Sequence, residues 1–308
     1  MNRTWMGTAV IAATVMLSSC DDIQGLGHAS QEFHYSYAFQ PGGRLNIDNT
    51  NGSVEISGWE RNTIEISGTK YAPSEDQLRE IQIKVDVSGD SVRIRTDSPK
   101  DFFHGGFGAK YIIRAPHRLL LDRAETTNGS LTVEDLDGGG TAKSTNGHVS
   151  LARDDGNYDV RTTNGGITLD ECSGVERAGT TNGAVRARLK SGSLDAESTN
   201  GGIELTILKP ENDKPVRAST TNGSITLALA EFHGNSISAH TTNGSITLRL
   251  PPDTNAELRA HNTHSGISTD LPLSSTEEMS KHEVRGQLGR GGPEIEASTG
   301  GSIHIEKY

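Results

Sequence analysis

The stretch TTNGSLTVEDLDGGGTAKSTNGHVSL, residues 126–151, holds two copies of Thr-Asn-Gly that lie 18 residues apart. The motif occurs eight times in the chain, with its Asn and Gly at Asn51-Gly52, Asn128-Gly129, Asn146-Gly147, Asn164-Gly165, Asn182-Gly183, Asn200-Gly201, Asn222-Gly223 and Asn243-Gly244. The interval stays at 18 residues from Asn128 to Asn200 and then lengthens to 22 and 21. Tandem copies at a fixed interval are typical of proteins that stack one short unit on the next.

Side chains alternate in character on both sides of each motif. Three and five residues after the asparagine stand aliphatic side chains, such as Ile167 and Leu169. Four residues before it the side chain is small or branched, as at Ala178, and two residues before it is Thr or Ser, as at Thr180. Alternation with a period of two predicts strands with one buried face, so each motif joins two short strands.

Glycine marks a second turn in the regular repeats. It stands ten residues after the asparagine in four copies, as Gly138, Gly156, Gly174 and Gly192. Because glycine is favoured where a turn needs a positive φ, each repeat is predicted to contain two strands and two turns.

Two architectures fit such a unit. Asn-Gly favours the type I′ turn of a hairpin, which would give a β-meander or a sandwich. The constant interval instead favours a parallel β-solenoid, because stacked coils must match in length. We therefore predict an all-β fold, a parallel β-solenoid resembling a right-handed β-helix, with the meander or sandwich as the alternative. The repeated Thr, Asn and Gly are expected to be structural turn residues, with Thr and Asn forming ladders along the stack.

Residues 40–125 carry one clear motif and are predicted to form an N-terminal β module that caps the repeat region, residues 126–308. A cap is needed because the open end of a solenoid exposes unpaired strands. The predicted elements of the module are strands within Leu45–Ile66, a short helix at Pro73–Glu80, and strands at Ile81–Val87 and Val92–Arg95.

Two segments lack the repeat pattern. Residues 101–110, Asp-Phe-Phe-His-Gly-Gly-Phe-Gly-Ala-Lys, either fold over the core, which is the simpler interpretation, or form an exposed contact loop. Residues 272–293 are predicted to form a loop, followed by one final strand from Glu294 to Lys307.

The N-terminus has the pattern of a bacterial export signal. Arg3 precedes a mostly apolar run from Thr8 to Leu17, which is too short to span a bilayer as a helix. The run ends in Leu-Ser-Ser-Cys20, which resembles the lipobox of bacterial lipoproteins, where cleavage before the cysteine frees it for lipidation. We predict a signal peptide at residues 1–19, a lipid on Cys20 and a linker at residues 20–39. An ordinary signal peptide is the alternative.

Charge and sorting signals narrow the location and the partners. Asp21 and Asp22 resemble the inner-membrane retention signal of enteric lipoprotein sorting, which slightly favours an inner-membrane protein facing the periplasm over an outer-membrane protein. The chain has 29 basic and 40 acidic residues, a formal net charge of -11, without a basic patch in the sequence. Nucleic acid is therefore not an expected partner.

The sequence offers little for metal or cysteine chemistry. Cys172 has no cysteine to pair with if Cys20 carries lipid, and it is predicted to be a small packing residue. The histidines lack metal-ligand spacing apart from His261 and His264, which are expected to be polar surface. We predict no metal site and no cofactor.

The acidic pairs Asp154-Asp155 and Asp170-Glu171 fall near the second turn of different repeats, where solvated charge is expected. No acid, base and orienting group can be placed together from the sequence. We therefore predict no catalytic residue and no enzyme activity, against the alternative of a β-helix enzyme that acts on polysaccharides.

The sequence resembles a known family over about residues 40–305. Residues 49–59, Asn-Thr-Asn-Gly-Ser-Val-Glu-Ile-Ser-Gly-Trp, are followed by Ala115-Pro116, Leu121 and the tandem motifs. This succession is similar to a bacterial domain-of-unknown-function family of candidate adhesins. The resemblance implies a β-solenoid-like fold in an anchored or exported protein, and it supplies no catalytic residues.

Two functions remain open from the sequence. The first is a membrane-anchored envelope lipoprotein that acts as an adhesin or binding module, its β-repeat surface engaging a protein or a glycan. The second is a periplasmic scaffold or envelope-stress accessory protein without an adhesive role.

Overall fold

The computed structural model of the chain describes residues 29–98 and 106–308. The N-terminal elements are β1 (Ala29–Ala38), β2 (Gly43–Asn51), β3 (Val54–Trp59), β4 (Thr63–Ala72), α1 (Glu75–Glu80), β5 (Gln82–Ser88), β6 (Ser91–Asp97) and β7 (Gly108–Pro116). The central strands are β8 (Leu119–Asn128), β9 (Leu131–Glu134), β10 (Gly140–Ser144), β11 (Val149–Ala152), β12 (Tyr158–Asn164), β13 (Ile167–Ser173), β14 (Arg177–Asn182), β15 (Val185–Gly192), β16 (Asp195–Asn200), β17 (Ile203–Pro210), β18 (Val216–Asn222), β19 (Ile225–Leu229), β20 (Ile237–Asn243) and β21 (Ile246–Leu250). The C-terminal strands are β22 (Ala256–Asn262), β23 (Ile267–Thr269), β24 (Leu273–Met279), β25 (Glu283–Leu288), β26 (Glu294–Thr299) and β27 (Ile303–Lys307).

The strands form two long sheets. Sheet A has 13 strands in the order β1-β4-β7-β3-β9-β11-β13-β15-β17-β19-β21-β27-β23. Sheet B has 14 strands in the order β24-β25-β22-β26-β20-β18-β16-β14-β12-β10-β8-β2-β6-β5. From β8 to β21 successive strands alternate between the sheets, and neighbours within each sheet are parallel. The predicted parallel β-solenoid is confirmed, and the meander is not the fold, since each Asn-Gly crosses from sheet B to sheet A.

The core lies between the two sheets and follows the alternation in the sequence. Sheet A contributes large aliphatic side chains such as Ile167 and Leu169, and sheet B contributes small ones such as Ala178 and Ala196, all of them buried. Each fully buried Val, Leu or Ile side chain stabilises a fold by about 1.5–3 kcal/mol, so this stripe repeated in every coil supplies much of the stability. The small residues on one sheet let the other sheet approach closely.

The N-terminal end is closed by antiparallel strands. In sheet A, β4 pairs antiparallel with β7 and β1 pairs antiparallel with β4, while in sheet B β5 pairs antiparallel with β6. The predicted helix is α1, where Ser74 accepts a hydrogen bond from the Gln77 amide and Leu78 is buried. Phe107 packs against Ala72, Leu78 and Ile81.

Two sequence-based boundaries differ from the structure. Residues 29–38 were placed in a linker, but they form β1, because Phe33, Tyr35 and Tyr37 alternate toward the core. Both sheets also continue across residue 125, since Asn51 in β2 pairs with Asn128 in β8 and Val54 in β3 pairs with Leu131 in β9. The N-terminal module is thus built on the same stack of coils as the repeats.

The C-terminal end departs most from the prediction. The loop predicted at residues 272–293 is wrong, because β24 and β25 form an antiparallel pair at the edge of sheet B. The single final strand is also wrong. Thr299-Gly300-Gly301 turns the chain from β26 in sheet B to β27 in sheet A, and this last coil lies between β20/β21 and β22/β23.

Among the residues that the structure describes, no helix has the length and apolar character needed to cross a membrane.

Candidate functional site

The asparagines of the motif form one continuous ladder along one edge of the stack, which we call the Asn edge. Each side-chain Nδ2 donates to the Oδ1 of the asparagine in the preceding coil, over 2.7 Å from Asn128 to Asn51 and 2.9 Å from Asn243 to Asn222. The same bond joins the copies in between, Asn146, Asn164, Asn182, Asn200 and Asn222. The predicted Asn ladder is confirmed. Its side-chain amides hydrogen-bond to one another although the edge is exposed to solvent.

Hydroxyl groups that point into the core also join successive coils at the Asn edge. Two residues before each asparagine, the hydroxyl donates to the carbonyl of the motif glycine one coil earlier, as from Thr162 to Gly147 over 2.8 Å. The equivalent donors are Thr126, Ser144, Thr180, Ser198, Thr220 and Thr241. These side chains are buried, so each bond satisfies a backbone carbonyl that water reaches poorly.

Glycine is needed at the Asn edge because the backbones approach each other closely. A Cβ built on Gly183 would overlap the carbonyl oxygen of Gly165, and the motif glycines before and after it have the same contact. The second-turn glycines have a different role. Gly138, Gly156, Gly174 and Gly192 have φ values of 153°, 128°, 75° and 117°, which confirms the positive φ predicted there.

The threonine directly before each asparagine faces outward from sheet B. Thr127, Thr145, Thr163, Thr181, Thr199, Thr221 and Thr242 are exposed and stand in one row, one strand apart. Within the described residues their hydroxyls form no hydrogen bond, whereas the hydroxyls on the inner row all do. This outward row therefore presents donors and acceptors that the fold itself does not use.

A shallow groove of about 800 Å³ runs along this outer face of sheet B. Its lining combines the outward and inner hydroxyl rows with charged side chains from the next outward positions, acidic at Asp48, Glu125 and Glu197 and basic at Lys143, Arg161 and Arg177. Strand pairing puts Glu125 beside Lys143 and Lys143 beside Arg161. The row of charged side chains three residues before each asparagine is interrupted at Gly179, where a Cβ would meet only open space.

The charges of the groove are partly paired along the sheet. Arg161 Nε lies 2.8 Å from Asp159 Oδ1, and Arg177 lies 3.6 Å from Asp195. Such exposed pairs contribute about 0–1 kcal/mol each, so their value to the fold is small. The face is thus a mixed, polar surface with hydroxyls at regular spacing, suited to hydrogen bonding with a polar partner.

The opposite edge of the stack, which we call the second edge, carries the other turns. Asp135, Arg153 and Glu171 stand at equivalent places in three successive coils and have positive φ values of 58°, 58° and 54°. Arg153 forms two bonds of 2.8 Å to the Asp135 carboxylate, and this hydrogen bonding lowers the pKa of Asp135. Ion pairing between neighbouring coils accompanies the unfavourable backbone conformation here.

The second edge also contains an unexpected buried acid. Asp154 was predicted to be solvated, but it is 1% exposed, because it points inward between Leu136 and Cys172 in the adjacent coils. Its Oδ1 accepts from the Leu136 amide over 2.8 Å, and burial raises the pKa of the carboxyl to about 7. Asp154 Oδ2 and the Tyr158 hydroxyl have no hydrogen-bond partner in the described residues.

Cys172 is fully buried, as predicted for a packing residue. Burial raises the pKa of its thiol to about 11, so the reactive thiolate is disfavoured. The other predicted acidic pair is exposed, and Glu171 lies 3.5 Å from Lys190.

Three buried asparagines were missed from the sequence, Asn49, Asn235 and Asn262, and the first two bond to backbone carbonyls. Asn49 takes the inner hydroxyl position in β2, where its Nδ2 donates to the carbonyls of Gly52 and Ala109. Asn235 donates to the carbonyls of Glu211 and Lys214 and so ties two of the longer turns together. Asn49 could have been found from its place two residues before Asn51, where the other copies have Thr or Ser. Nothing in the sequence around Asn235 marks it as buried.

The predicted lipid attachment at Cys20 and the sorting residues Asp21 and Asp22 lie outside the described residues, as do the signal peptide and Phe102 and Phe103. Within residues 29–98 and 106–308, no three His, Cys, Asp or Glu side chains are grouped to hold a metal ion.

The sequence matches the model of one protein family, Toastrack DUF4097, over residues 42–305. Because this match spans most of the chain, the chain belongs to the Toastrack DUF4097 family. No curated protein matches it.

Several solved structures are similar to this chain at low identity. A candidate adhesin from Parabacteroides merdae is 10% identical with a TM-score of 0.48, over 91% of this chain and 96% of that one. A candidate adhesin from Bacteroides fragilis is 14% identical with a TM-score of 0.38, over 92% and 100%. A candidate lipid-binding protein from Parabacteroides distasonis is 14% identical with a TM-score of 0.36, over 91% and 96%.

Proposed function

We propose that this chain is a lipid-anchored binding module of the bacterial cell envelope, an adhesin that engages a surface protein or glycan through the outer face of sheet B. The observation that carries the proposal is the outward threonine row. Its hydroxyls are exposed, regularly spaced and unused by the fold, while the hydroxyls of the inner row, one residue earlier in each coil, bond to backbone carbonyls. Threonine also favours strands for its branched shape, so the hydroxyl itself must be tested.

The geometry of the face suits a partner with repeating polar groups. Parallel strands lie about 4.8 Å apart, so the threonine hydroxyls recur at that spacing along the groove. Single hydrogen bonds contribute about 0.5–1.5 kcal/mol, and several in a row are needed for useful affinity. The acidic and basic side chains beside them add selectivity for partners with complementary charges.

The anchor in this proposal is a lipid on Cys20. A Cys20→Ser variant of the full chain is expected to lose incorporation of radiolabelled palmitate and to move from the membrane fraction to the soluble fraction. Unchanged palmitate labelling in that variant would exclude Cys20 as the attachment site.

We also propose that the module is not an enzyme. The groove combines hydroxyls with paired charges, and the one buried thiol and the buried carboxyl of Asp154 lie in the core at the opposite edge. A general acid or base must reach the atom that it protonates, which these buried groups do not do from the groove.

A periplasmic scaffold is the second candidate, supported by Asp21 and Asp22 after the lipidated cysteine. In that case the same face would bind a partner inside the envelope. These two residues slightly favour the inner membrane, with the repeats facing the periplasm. The adhesin proposal requires instead that the repeats face the outside of the cell.

Protease accessibility in cells separates the two candidates. Tyr308 is exposed at the end of the chain, so a specific protease site and an epitope tag can follow it without entering the sheets. Loss of the tag on intact cells would support adhesion at the surface. Retention of the tag until the outer membrane is permeabilised would contradict a surface adhesin and support the scaffold.

A further inference from the structure

The last coil of the chain makes a gap in the outer face of sheet B. Strand β26 lies between β20 and β22, and its register places Ser298 between His240 on one side and His261 on the other. All three residues point outward, and both histidines are exposed. A small side chain is therefore flanked by two imidazoles.

Small residues also stand between larger ones in the part of β26 nearer to the Asn edge. Thr299 pairs with Thr241 and with Asn262, so the next residue, Gly300, lies between Thr242 and Thr263. One position further, Gly301 lies against Gly244 and Ser302 bonds to Ser245, so the last coil has no residue at the place of Asn243. The inserted coil thus presents Ser and Gly where the coils on both sides present larger polar side chains.

The result is a notch of about 540 Å³, distinct from the threonine groove. Its floor is formed by β26 and the turn that follows it, and its walls are His240, Thr242 and Asn243 against His261, Thr263 and His264. Since neighbouring parallel strands are about 4.8 Å apart, the walls are about two such spacings apart. That width admits one extended chain lying along the strand direction.

The titratable groups of the notch are all imidazoles. Its lining has no carboxylate, in a chain with a formal net charge of -11 and acidic residues over most of its surface. Imidazole N–H groups donate hydrogen bonds, and such bonds are stronger when the acceptor is an ionised oxygen, so this lining favours an anion.

The charged groups around the notch are engaged elsewhere or offset from it. On β25, Glu283 is the register partner of His261, and its carboxylate lies 2.5 Å from Arg285. On β26 itself, Glu296 stands two residues before Ser298, beside Arg259 of β22. On the side of β18, His240 pairs with the uncharged Ser219.

We propose that the notch binds the carboxylate-bearing sugar of an extended acidic glycan, a uronate chain. The imidazole N–H groups of His240 and His261 donate to the carboxylate, while the hydroxyls of Thr242 and Thr263 and the Asn243 amide bond to sugar hydroxyls. This inference goes beyond the proposed adhesin role, because it assigns a ligand to residues outside the lining of the threonine groove and holds on either side of the outer membrane.

The test is a titration of the full chain, purified in detergent, with fluorescently labelled tetragalacturonate and with neutral maltotetraose. We expect tetragalacturonate to bind at least about tenfold tighter, since a hydrogen bond to a charged group is worth roughly a factor of ten or more. In the double variant His240→Ala and His261→Ala, that difference should disappear. His34→Ala, which changes an exposed histidine on β1, is the matched control and should behave as the wild type.

Three results would overturn the inference. The first is equal affinity for tetragalacturonate and neutral maltotetraose, which would show that the sugar carboxylate is not recognised. The second is an equal loss in the His34→Ala control. The third is equal binding of inorganic phosphate, which would show that the glycan chain is not recognised. Failure of the threonine groove to bind a partner would leave the expected results unchanged.

Discussion

Both edges of the solenoid hold the turns that connect the two sheets, but the turns at the two edges are stabilised differently. At the Asn edge the motif coils all turn with the same three residues, and their side chains bond to the preceding coil, Asn to Asn and inner hydroxyl to glycine carbonyl. At the second edge the turns differ in sequence, and they hold positive-φ residues, ion pairs and a buried acid. At the Asn edge each bond needs the same residue in the neighbouring coil, so the sequence of the turn cannot vary. At the second edge each turn has its own bonds, so sequence and length can vary.

The length of the repeats shows this difference directly. Where the interval grows from 18 to 22 and 21 residues, the added residues lie between β17 and β18 and between β19 and β20, both at the second edge. The Asn ladder continues through Asn222 and Asn243 without a gap. The Asn edge therefore sets the register of the stack, and the second edge accommodates insertions.

The largest expected effect comes from filling the close contact at the Asn edge. Gly183→Ala places a Cβ against the carbonyl oxygen of Gly165, so we expect the free energy of unfolding to fall by about 3 kcal/mol or more. Gly179→Ala is the matched control four residues away, where the new Cβ meets open space. It should be neutral or stabilise by up to about 1 kcal/mol. Denaturant unfolding of both variants measures the difference, and similar stabilities would contradict the role assigned to the motif glycine.

A smaller but pH-dependent effect is expected at the second edge. The carboxyl pKa of Asp154 is about 7 in the folded chain and near 3.9 when unfolded, so the folded state holds the proton more tightly. Its contribution to stability is complete below about pH 4 and is lost as the pH rises toward 7. Asp154→Asn keeps an oxygen for the Leu136 amide and cannot ionise, and we expect it to stabilise the chain at pH 8 by a few kcal/mol, at about 1.4 kcal/mol per pKa unit.

The control for this prediction is Asp155→Asn, at the exposed neighbouring acid. Unfolding free energies of the three proteins are compared between pH 4 and pH 8. The wild type and the control should lose stability with rising pH relative to Asp154→Asn. Parallel pH profiles for all three would show that Asp154 does not stay protonated in the fold.

The smallest effect separates the two hydroxyl rows. Thr162→Val removes the buried bond to the Gly147 carbonyl and should cost about 1–2 kcal/mol. Thr163→Val removes an exposed, unbonded hydroxyl and should stay within about 0.5 kcal/mol of the wild type. Equal losses in thermal unfolding would mean that the outward row also serves the fold, which would weaken the proposed binding role.

The sequence predicts the uniform parts of this fold well, for a physical reason. Ile167, Ala178, Thr180 and Asn182 each repeat with the same environment, so period-two burial and the fixed interval identify strands, ladders and turns together. The parallel solenoid, the Asn ladder and the second-turn glycines followed from those regularities alone.

Interactions between segments far apart in sequence could not be predicted this way. The insertion of the last coil between β20/β21 and β22/β23 depends on pairing between residues far apart in the chain, such as Ala239 with Ala297, which are 58 residues apart. The burial of Asp154 depends on its neighbours in adjacent coils rather than on its own repeat. The notch at Ser298 exists because of that insertion, so His240 and His261 carried no joint signal in the sequence.

The measurement that most directly tests the account is binding of the full chain to an array of surface glycans and proteins, compared between two sets of valine variants. One set replaces the outward row of sheet B, Thr127, Thr145, Thr163, Thr181 and Thr199. The other replaces the outward threonines of sheet A, Thr132, Thr168, Thr226 and Thr247. Binding should fall at least tenfold in the first set at unchanged melting temperature and persist in the second. Persistence of binding in the first set, or its loss only in the second, would contradict a binding face on sheet B.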